Sequence, residues 1–390
     1  MLKREKCSRI AFTLLTASIL GGCSATKNVI PKQQAISSVS SLKYINTYVF
    51  PHNQQFKGTT VGGLSAIDFD PVKQVYYLIS DDRSAINPAR FYTAKISLSA
   101  AGINNVSVIA VDTLYQKDGA AYPKLSKGAT RTADPEAMRY NGIIKQLYWT
   151  SEGDRVMKEE DTVMIDPTIN IVSTNGKYVD SIPLPDNLRM QRIESGPRRN
   201  GVLEGLTFAD NFQTLYVSLE EPLYQDGPRA AVGGRNNAFV RIYQFDLKTK
   251  KNTGQYAYEL EPVALPPLKA DGEYVNGIPD ILWLDNHRML VTERSYAEGQ
   301  EGTTIKVFMA DLAGATNIIT TKSLKENPAS HPVQKKMLLN MDDLGIYIDN
   351  IEGATIGPVL PNGHQTLIFV ADNNFNDKEQ NQFMLFEVIP

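Results

Sequence analysis

Cysteine is nearly absent: Cys7 and Cys23 are the only two in 390 residues. That count excludes a disulfide scaffold and a cysteine-rich zinc site. Histidine is as scarce. His52, His287, His331 and His364 are scattered and form no HExxH, which excludes a zincin. After residue 22 no stretch approaches 18 apolar residues, the least expected of a spanning helix. A nucleophile elbow, GxSxG, is missing too. Its nearest relative, Gly63-Leu64-Ser65-Ala66-Ile67, lacks the last glycine and precedes a strand, which argues against a serine esterase of the α/β-hydrolase kind. There is no P-loop and no GxGxxG opening a helix. With 27 Gly and 21 Pro the chain is neither collagenous nor low-complexity. What is present is ordinary globular material, 42% apolar and 21% charged with 18 Tyr, enough for a core and against wholesale disorder.

The first 22 residues read as a signal peptide: Lys3, Arg4, Lys6 and Arg9 lead, and Ile10 to Leu20 form a short apolar run. The run ends Leu20-Gly21-Gly22-Cys23, which looks like a lipobox. Cleavage would leave Cys23 as the acylated first residue, and more than one acyl chain is what stable anchoring needs. Ser24 at the next position fits outer-membrane sorting, so the expected place is an exported lipoprotein, periplasmic or on the cell surface. Loss of residues 1–22 moves the formal charge from −3 to −6 and removes Cys7, which suits an oxidising compartment. Residues 23–41 are expected to be the lipidated cysteine and a flexible polar tether, with one domain over 42–390.

That domain carries a repeat, five times over. Each copy has an acidic–Gly–apolar start, a short strand, a turn, and a hydrophobic strand ending in an acid. The terminal acids Asp81, Glu152, Glu220, Glu293 and Asp372 are separated by 71, 68, 73 and 79 residues. Two further strands follow each of the first four copies: Arg90–Ile96 and Val106–Leu114, Thr162–Ser173 and Tyr178–Leu184, Phe239–Leu247 and Gly254–Leu260, Thr304–Leu312 and Lys336–Met341. Four antiparallel strands per unit make a propeller blade. The fifth copy has only Gln382–Ile389 after it, so Leu42–Phe50 is expected to supply the missing outer strand and close the ring. The expected fold is all-β: a β-propeller, five blades favoured over six.

In a blade the start of the first strand and the end of the second are neighbours at one face. Glu136, Glu204, Asp280 and Glu352 occupy starts, and the five terminal acids occupy ends. Nine carboxylates are therefore expected around one channel mouth. Two unit charges 4 Å apart at an effective dielectric of 20 repel by about 4 kcal/mol, so cations, shared protons or basic partners must relieve the ring. Arg83, Arg155 and Arg294 follow the end acids closely, and loops on that face add Arg189, Arg192, Arg198, Arg199, Arg229 and Arg235. Hard oxygen donors without His or Cys select Ca²⁺ or Mg²⁺, and arginines beside a metal suit phosphate or carboxylate ligands. The plain alternative is that these acids cap strands and the arginines form weak surface pairs.

Asn200-Gly201-Val202-Leu203-Glu204-Gly205-Leu206-Thr207-Phe208, followed by Thr214-Leu215-Tyr216-Val217-Ser218-Leu219-Glu220, resembles the family called "esterase-like activity of phytase". Ser80-Asp81-Asp82-Arg83 and Ile351-Glu352-Gly353 also fit, and the likeness spans roughly residues 58–388. It implies a secreted propeller whose family name invokes ester hydrolysis. The site assignments come from the repeat geometry, not from the family.

The expectation is then a lipid-anchored hydrolase of phosphate esters. Asp81, Glu136, Glu152, Asp280, Glu293, Glu352 and Asp372 would hold Ca²⁺, Glu204 or Glu220 would be the general base, and Arg83, Arg155 and Arg294 would hold a small anionic substrate. The rival is a non-catalytic binding module for an envelope ligand or partner at the same mouth. Net −6 argues against nucleic acid, membrane contact is expected through the anchor alone, and a monomer is expected.

Overall fold

The computed structural model describes residues 38–390 except 100, 127–129, 159–160 and 235–236, together with Gln33 and Ile36. The signal segment and Cys23 lie outside the described residues, as does Arg235.

Five four-stranded antiparallel sheets form a five-bladed β-propeller. From the axis outward, blade 1 is Leu64–Asp70, Val75–Ser80, Arg90–Ser99 and Gly102–Thr113. Blade 2 is Pro135–Asn141, Gln146–Ser151, Thr168–Ser173 and Tyr178–Ile182. Blade 3 is Leu203–Ala209, Thr214–Leu219, Phe239–Asp246 and Lys251–Glu259. Blade 4 is Tyr274–Asp285, Arg288–Ala297, Thr304–Asp311 and Gln334–Asn340. Blade 5 is Asn350–Ile356, Thr366–Asp372 and Asn381–Ile389, completed by Ser41–Phe50 from the other end of the chain. That last strand pairs from Ser41 with Ile389 to Phe50 with Asn381, so the ring is closed by hydrogen bonds between the two ends of the domain.

Burial explains the sequence pattern. The two inner strands of a blade are covered on both faces, so VYYLIS and LEGLTFA are buried throughout. The outermost strand has one wet face, and GINNVSVIAVDT is buried only in part. Successive blades are joined by ring contacts between a second-strand tyrosine and an inner-strand aromatic of the next blade. The pairs are Tyr77 with Tyr140 at 5.2 Å, Tyr148 with Phe208 at 5.0 Å, and Tyr216 stacked on Trp283 at 5.0 Å. Each contributes about 0.5–1.5 kcal/mol beyond its buried area.

One expected strand divides. Thr162–Ser173 is broken at Asp166-Pro167, because proline has no N–H for a ladder. Asp161–Ile165 instead pairs with Asp154–Lys158 in a separate hairpin, and the blade strand begins at Thr168. On the base of the ring, Ile36 is buried and its N–H donates to the Leu284 carbonyl at 3.3 Å, while Gln33 donates through its side chain to the Phe208 carbonyl.

Candidate functional site

Every inner strand carries a register shift against its neighbour near the channel mouth. The shift falls between Leu64 and Ala66, Pro135 and Met138, Leu203 and Gly205, Gly277 and Asp280, and Ile351 and Gly353. A bulge re-aims the extra residue and ends regular pairing. The residues at the shift are Ser65 in blade 1, Glu136 and Ala137 against Thr150 in blade 2, Glu204 in blade 3, Ile278 and Pro279 against Glu293 in blade 4 and Glu352 in blade 5, one extra in each blade. The glycine after the acid allows close approach of the next blade. A Cβ on Gly205 would lie 2.8 Å from the Ile281 nitrogen, and one on Gly353 2.8 Å from the Ala66 Cα.

The result is a cavity of about 1170 Å³ at the channel mouth, lined by Asp81, Glu136, Glu152, Glu204, Glu220 and Glu352 with Arg83 and Arg294. Asp372 is buried beside them, and the charges of Glu352 and Asp81 act on it. Oxygens of Asp81, Asp134 and Glu136 lie within 4.8 Å of one another, as do those of Glu136, Glu152 and Glu204, so Glu136 belongs to both groups. Burial, then neighbouring acids, holds the carboxyls of Glu136 and Glu204 well above the usual range, and the same two causes act on Asp81. Burial pushes Asp134, Glu152 and Glu352 up to about 7, against the pull of Arg83 on Asp134 and of Arg294 on Glu352.

The cations at the mouth are already engaged. Arg294 bridges Glu220 and Glu352 at 2.6 Å each and also bonds Asn350. Arg83 donates to Asp134 at 2.5 Å and to Asn200 at 3.2 Å. Arg199 holds Asp154 at 2.8 Å, and Arg229 pairs with Glu221 at 2.9 Å. Asp134 is not legible in the repeat, because no other copy carries an acid at that place. Its burial is near complete, at 2% exposed, and its Oδ2 has no hydrogen-bond partner.

Three expected residues do not join the ring. Asp280 sits one step deeper, opposite Thr292, and is bound by Arg139 through both oxygens at 2.8 and 2.7 Å. Glu293 points between blades, because side chains alternate along a strand and the mouth position in blade 4 belongs to Arg294. Its carboxylate is saturated by Tyr258, Lys335, Asn276 and the Glu261 N–H, at 2.7 to 2.8 Å. Arg155 lies on the extra hairpin, where its guanidinium bonds the carbonyls of Gln191 and Arg192 at 2.8 and 3.3 Å and faces the Tyr224 ring. Of the loop arginines, Arg198 bonds the carbonyls of Pro222 and Gly227, Arg189 pairs with Asp186, and Arg192 is exposed.

The donors are all oxygens, crowded at one mouth, with buried carboxylate oxygens of Asp134 and Glu352 unmatched. That set fits a hard divalent cation of the Ca²⁺ or Mg²⁺ class and does not fit zinc. A five-bladed propeller with an acidic mouth is therefore the class that fold and site define. Residues 59–375 match the family described as "Phytase-like: Esterase-like activity of phytase", and the chain belongs to it. No curated protein gives a significant match. Among solved structures, hydrazine synthase of Kuenenia stuttgartiensis is 15% identical over 82% of this chain and 81% of that one, with a TM-score of 0.34. An exo-β-1,3-galactanase of Phanerochaete chrysosporium is 12% identical over 88% of this chain and 65% of that one, with a TM-score of 0.42. At these values neither likeness bears on the chemistry.

Proposed function

We propose that the chain is an exported, lipid-anchored hydrolase of phosphate esters that depends on a divalent cation at the acidic mouth. The observation that carries this is the pair of carboxylate groups sharing Glu136, with the buried Asp134 oxygen left without a donor. Asp81, Asp134, Glu136, Glu152 and Glu204 would hold the cation. When bound, Ca²⁺ supplies Lewis-acid polarisation of a phosphoryl oxygen and offsets the repulsion among its ligands.

Of the two candidates for general base, Glu204 is drawn into the ligand group, while Glu220 lines the cavity with Oε1 fixed by Arg294. Glu220 then takes the proton of the attacking water as the water oxygen bonds phosphorus and the phosphorus–alcohol oxygen bond breaks, and the leaving alcohol oxygen takes up a proton in turn. Arg294 and Arg83 orient the phosphoryl oxygens. A second reading, a binding platform without turnover, is favoured by one observation: each guanidinium lining the mouth already has a carboxylate partner.

The test is hydrolysis of phosphate monoesters, diesters and carboxylic esters by the purified chain, with Ca²⁺ and with chelator. Turnover abolished by chelator and by Glu220→Gln, with Ca²⁺ binding weakened by Glu204→Gln but not by Glu220→Gln, supports the assignment. Ligand capture with no turnover of any ester overturns it in favour of the platform.

A further inference from the structure

We propose that the groove between blades 4 and 5, continuous with the acidic cavity, is a subsite for a neutral hydroxyl-rich ring, seating the alcohol part of the ester; this rests on the hydrolase reading for its link to the mouth but not for its own chemistry. The groove has a volume of about 860 Å³, within the range of small-ligand sites, and shares Tyr296, Asn350 and Asn374 with the central cavity. Tyr296 lies two residues beyond Arg294 on the same strand, so the two side chains share a face. Tyr296 is 39% exposed and lines both spaces.

Three amides are each held at one end and open at the other. Gln300 donates to the Pro266 carbonyl at 2.8 Å, and its Oε1 makes no hydrogen bond among the described residues. Asn374 donates to Glu379 at 2.8 Å, and its Oδ1 is left open in the same way. Gln380 accepts from Gln382 at 3.3 Å, and its NH₂ makes no hydrogen bond among the described residues. Two acceptors and one donor, oriented in advance, match hydroxyls, which both donate and accept.

The loop that carries Asn374 is fixed from behind. Phe375 packs so closely on blade 1 that a Cβ on Gly62 or Gly63 would lie 2.9 or 2.6 Å from its ring. Charge sets the rest of the specificity. Glu301, Asp349 and Glu379 line the groove against a single cation, Lys378, so a ring bearing further phosphates is repelled. The ligand class is a sugar-like ring with one phosphate, its apolar face on Tyr296.

Calorimetric titration of the full chain in chelator, with maltose, lactose and diacetylchitobiose as probes, tests the groove apart from the cation site. Binding of at least one probe is expected, weakened tenfold or more by Tyr296→Ala and by Gln380→Leu and kept by Tyr296→Phe, with thermal midpoints confirming that the variants fold. No binding of any probe, or binding that Tyr296→Ala leaves intact, overturns the proposal. With Ca²⁺ present, glucose 1-phosphate should be turned over with a higher kcat/KM than propyl phosphate, and glucose 1,6-bisphosphate should be poorer; a preferred bisphosphate overturns the charge argument. Probe binding without hydrolysis of any monoester, diester or carboxylic ester leaves the subsite standing and removes the hydrolase reading. Equal hydrolysis of glucose 1-phosphate and propyl phosphate with no probe bound does the reverse.

Discussion

Replacing Arg139 with methionine should weaken the whole ring, because one buried ion pair ties four inner strands together. Arg139 starts in blade 2 and grips Asp280 of blade 4 through Nη2 at 2.8 and 2.7 Å. Its Nη1 reaches the Ile67 carbonyl of blade 1 at 3.0 Å. Asp280 in turn accepts the Ala354 N–H of blade 5 at 2.7 Å. Both side chains are 3% exposed, so removing one leaves the other dry and without its counter-charge. Breaking such a pair from one side costs about 3–5 kcal/mol. An unfolding entropy of about 2.1 cal/mol/K per residue over roughly 350 residues converts that to a fall of about 4–7 °C in thermal midpoint. Asp280→Asn keeps the acceptor for Ala354 but strands the guanidinium, and should cost a similar amount. The double variant Arg139→Met/Asp280→Asn should then cost clearly less than the two singles added. Calorimetric melts of the four proteins close the cycle. A single-variant cost below about 1 kcal/mol, or singles that add within about 0.5 kcal/mol, would refute the tie.

The mouth yields three further expectations. In chelator, stability should fall as pH rises from about 4.5 through about 7. The raised carboxyls of Asp134, Glu152 and Glu352 bind protons in the folded chain that the unfolded chain has already lost, so their contribution is full below the ordinary carboxyl range and gone above about 7; thermal melts across that window check it, and a rising midpoint contradicts it. Saturating Ca²⁺ at about 100 times its Kd should add about 2.7 kcal/mol at pH 7.5 and flatten that slope, and a midpoint indifferent to Ca²⁺ counts against a cation site. Cys23→Ser should move the chain out of the membrane fraction of its host, and continued membrane association would count against the lipid anchor.

The five-blade ring and its closure were legible because periodicity is what sequence carries best. Strands covered on both faces read as apolar runs, and the Glu–Gly start recurs because the bulge and the close approach of blades recur. Blade 4 misled for a physical reason. Aligned by acid, Asp280 and Glu293 look like Glu204 and Glu220. Aligned by pairing, Asp280 opposes Thr292 and the mouth position falls to Arg294. The bulge adds one residue in every blade, but in blade 4 the acid falls one residue past it: Asp280 takes the place that Gly205 has in blade 3, and one residue turns a side chain to the opposite face. Arg155 was close in sequence to Glu152 but is carried off by a hairpin that Pro167 cuts from its blade. Asp134 occurs once, so no search for recurrence finds it.

The departure from five-fold symmetry is what makes the mouth usable. A ring with acids from every blade would be uniformly repulsive, and its cheapest relief would be shared protons. Placing Arg294 in blade 4 links Glu220 and Glu352 at 2.6 Å each and so removes two carboxylates from that repulsion. The remaining acids concentrate on blades 1 to 3, where Glu136 is common to two groups and Arg83 bonds Asp134, with Asp154 at 4.0 Å. One side of the cavity thus offers unrelieved oxygens and the other a guanidinium, a polarity that a cation and an anion can occupy together. The same arginine accounts for the placement of Glu220, the base we propose: it stands at the border, anchored by the arginine on one oxygen and facing the cavity. Repetition builds the pocket, and the exception in blade 4 gives it direction.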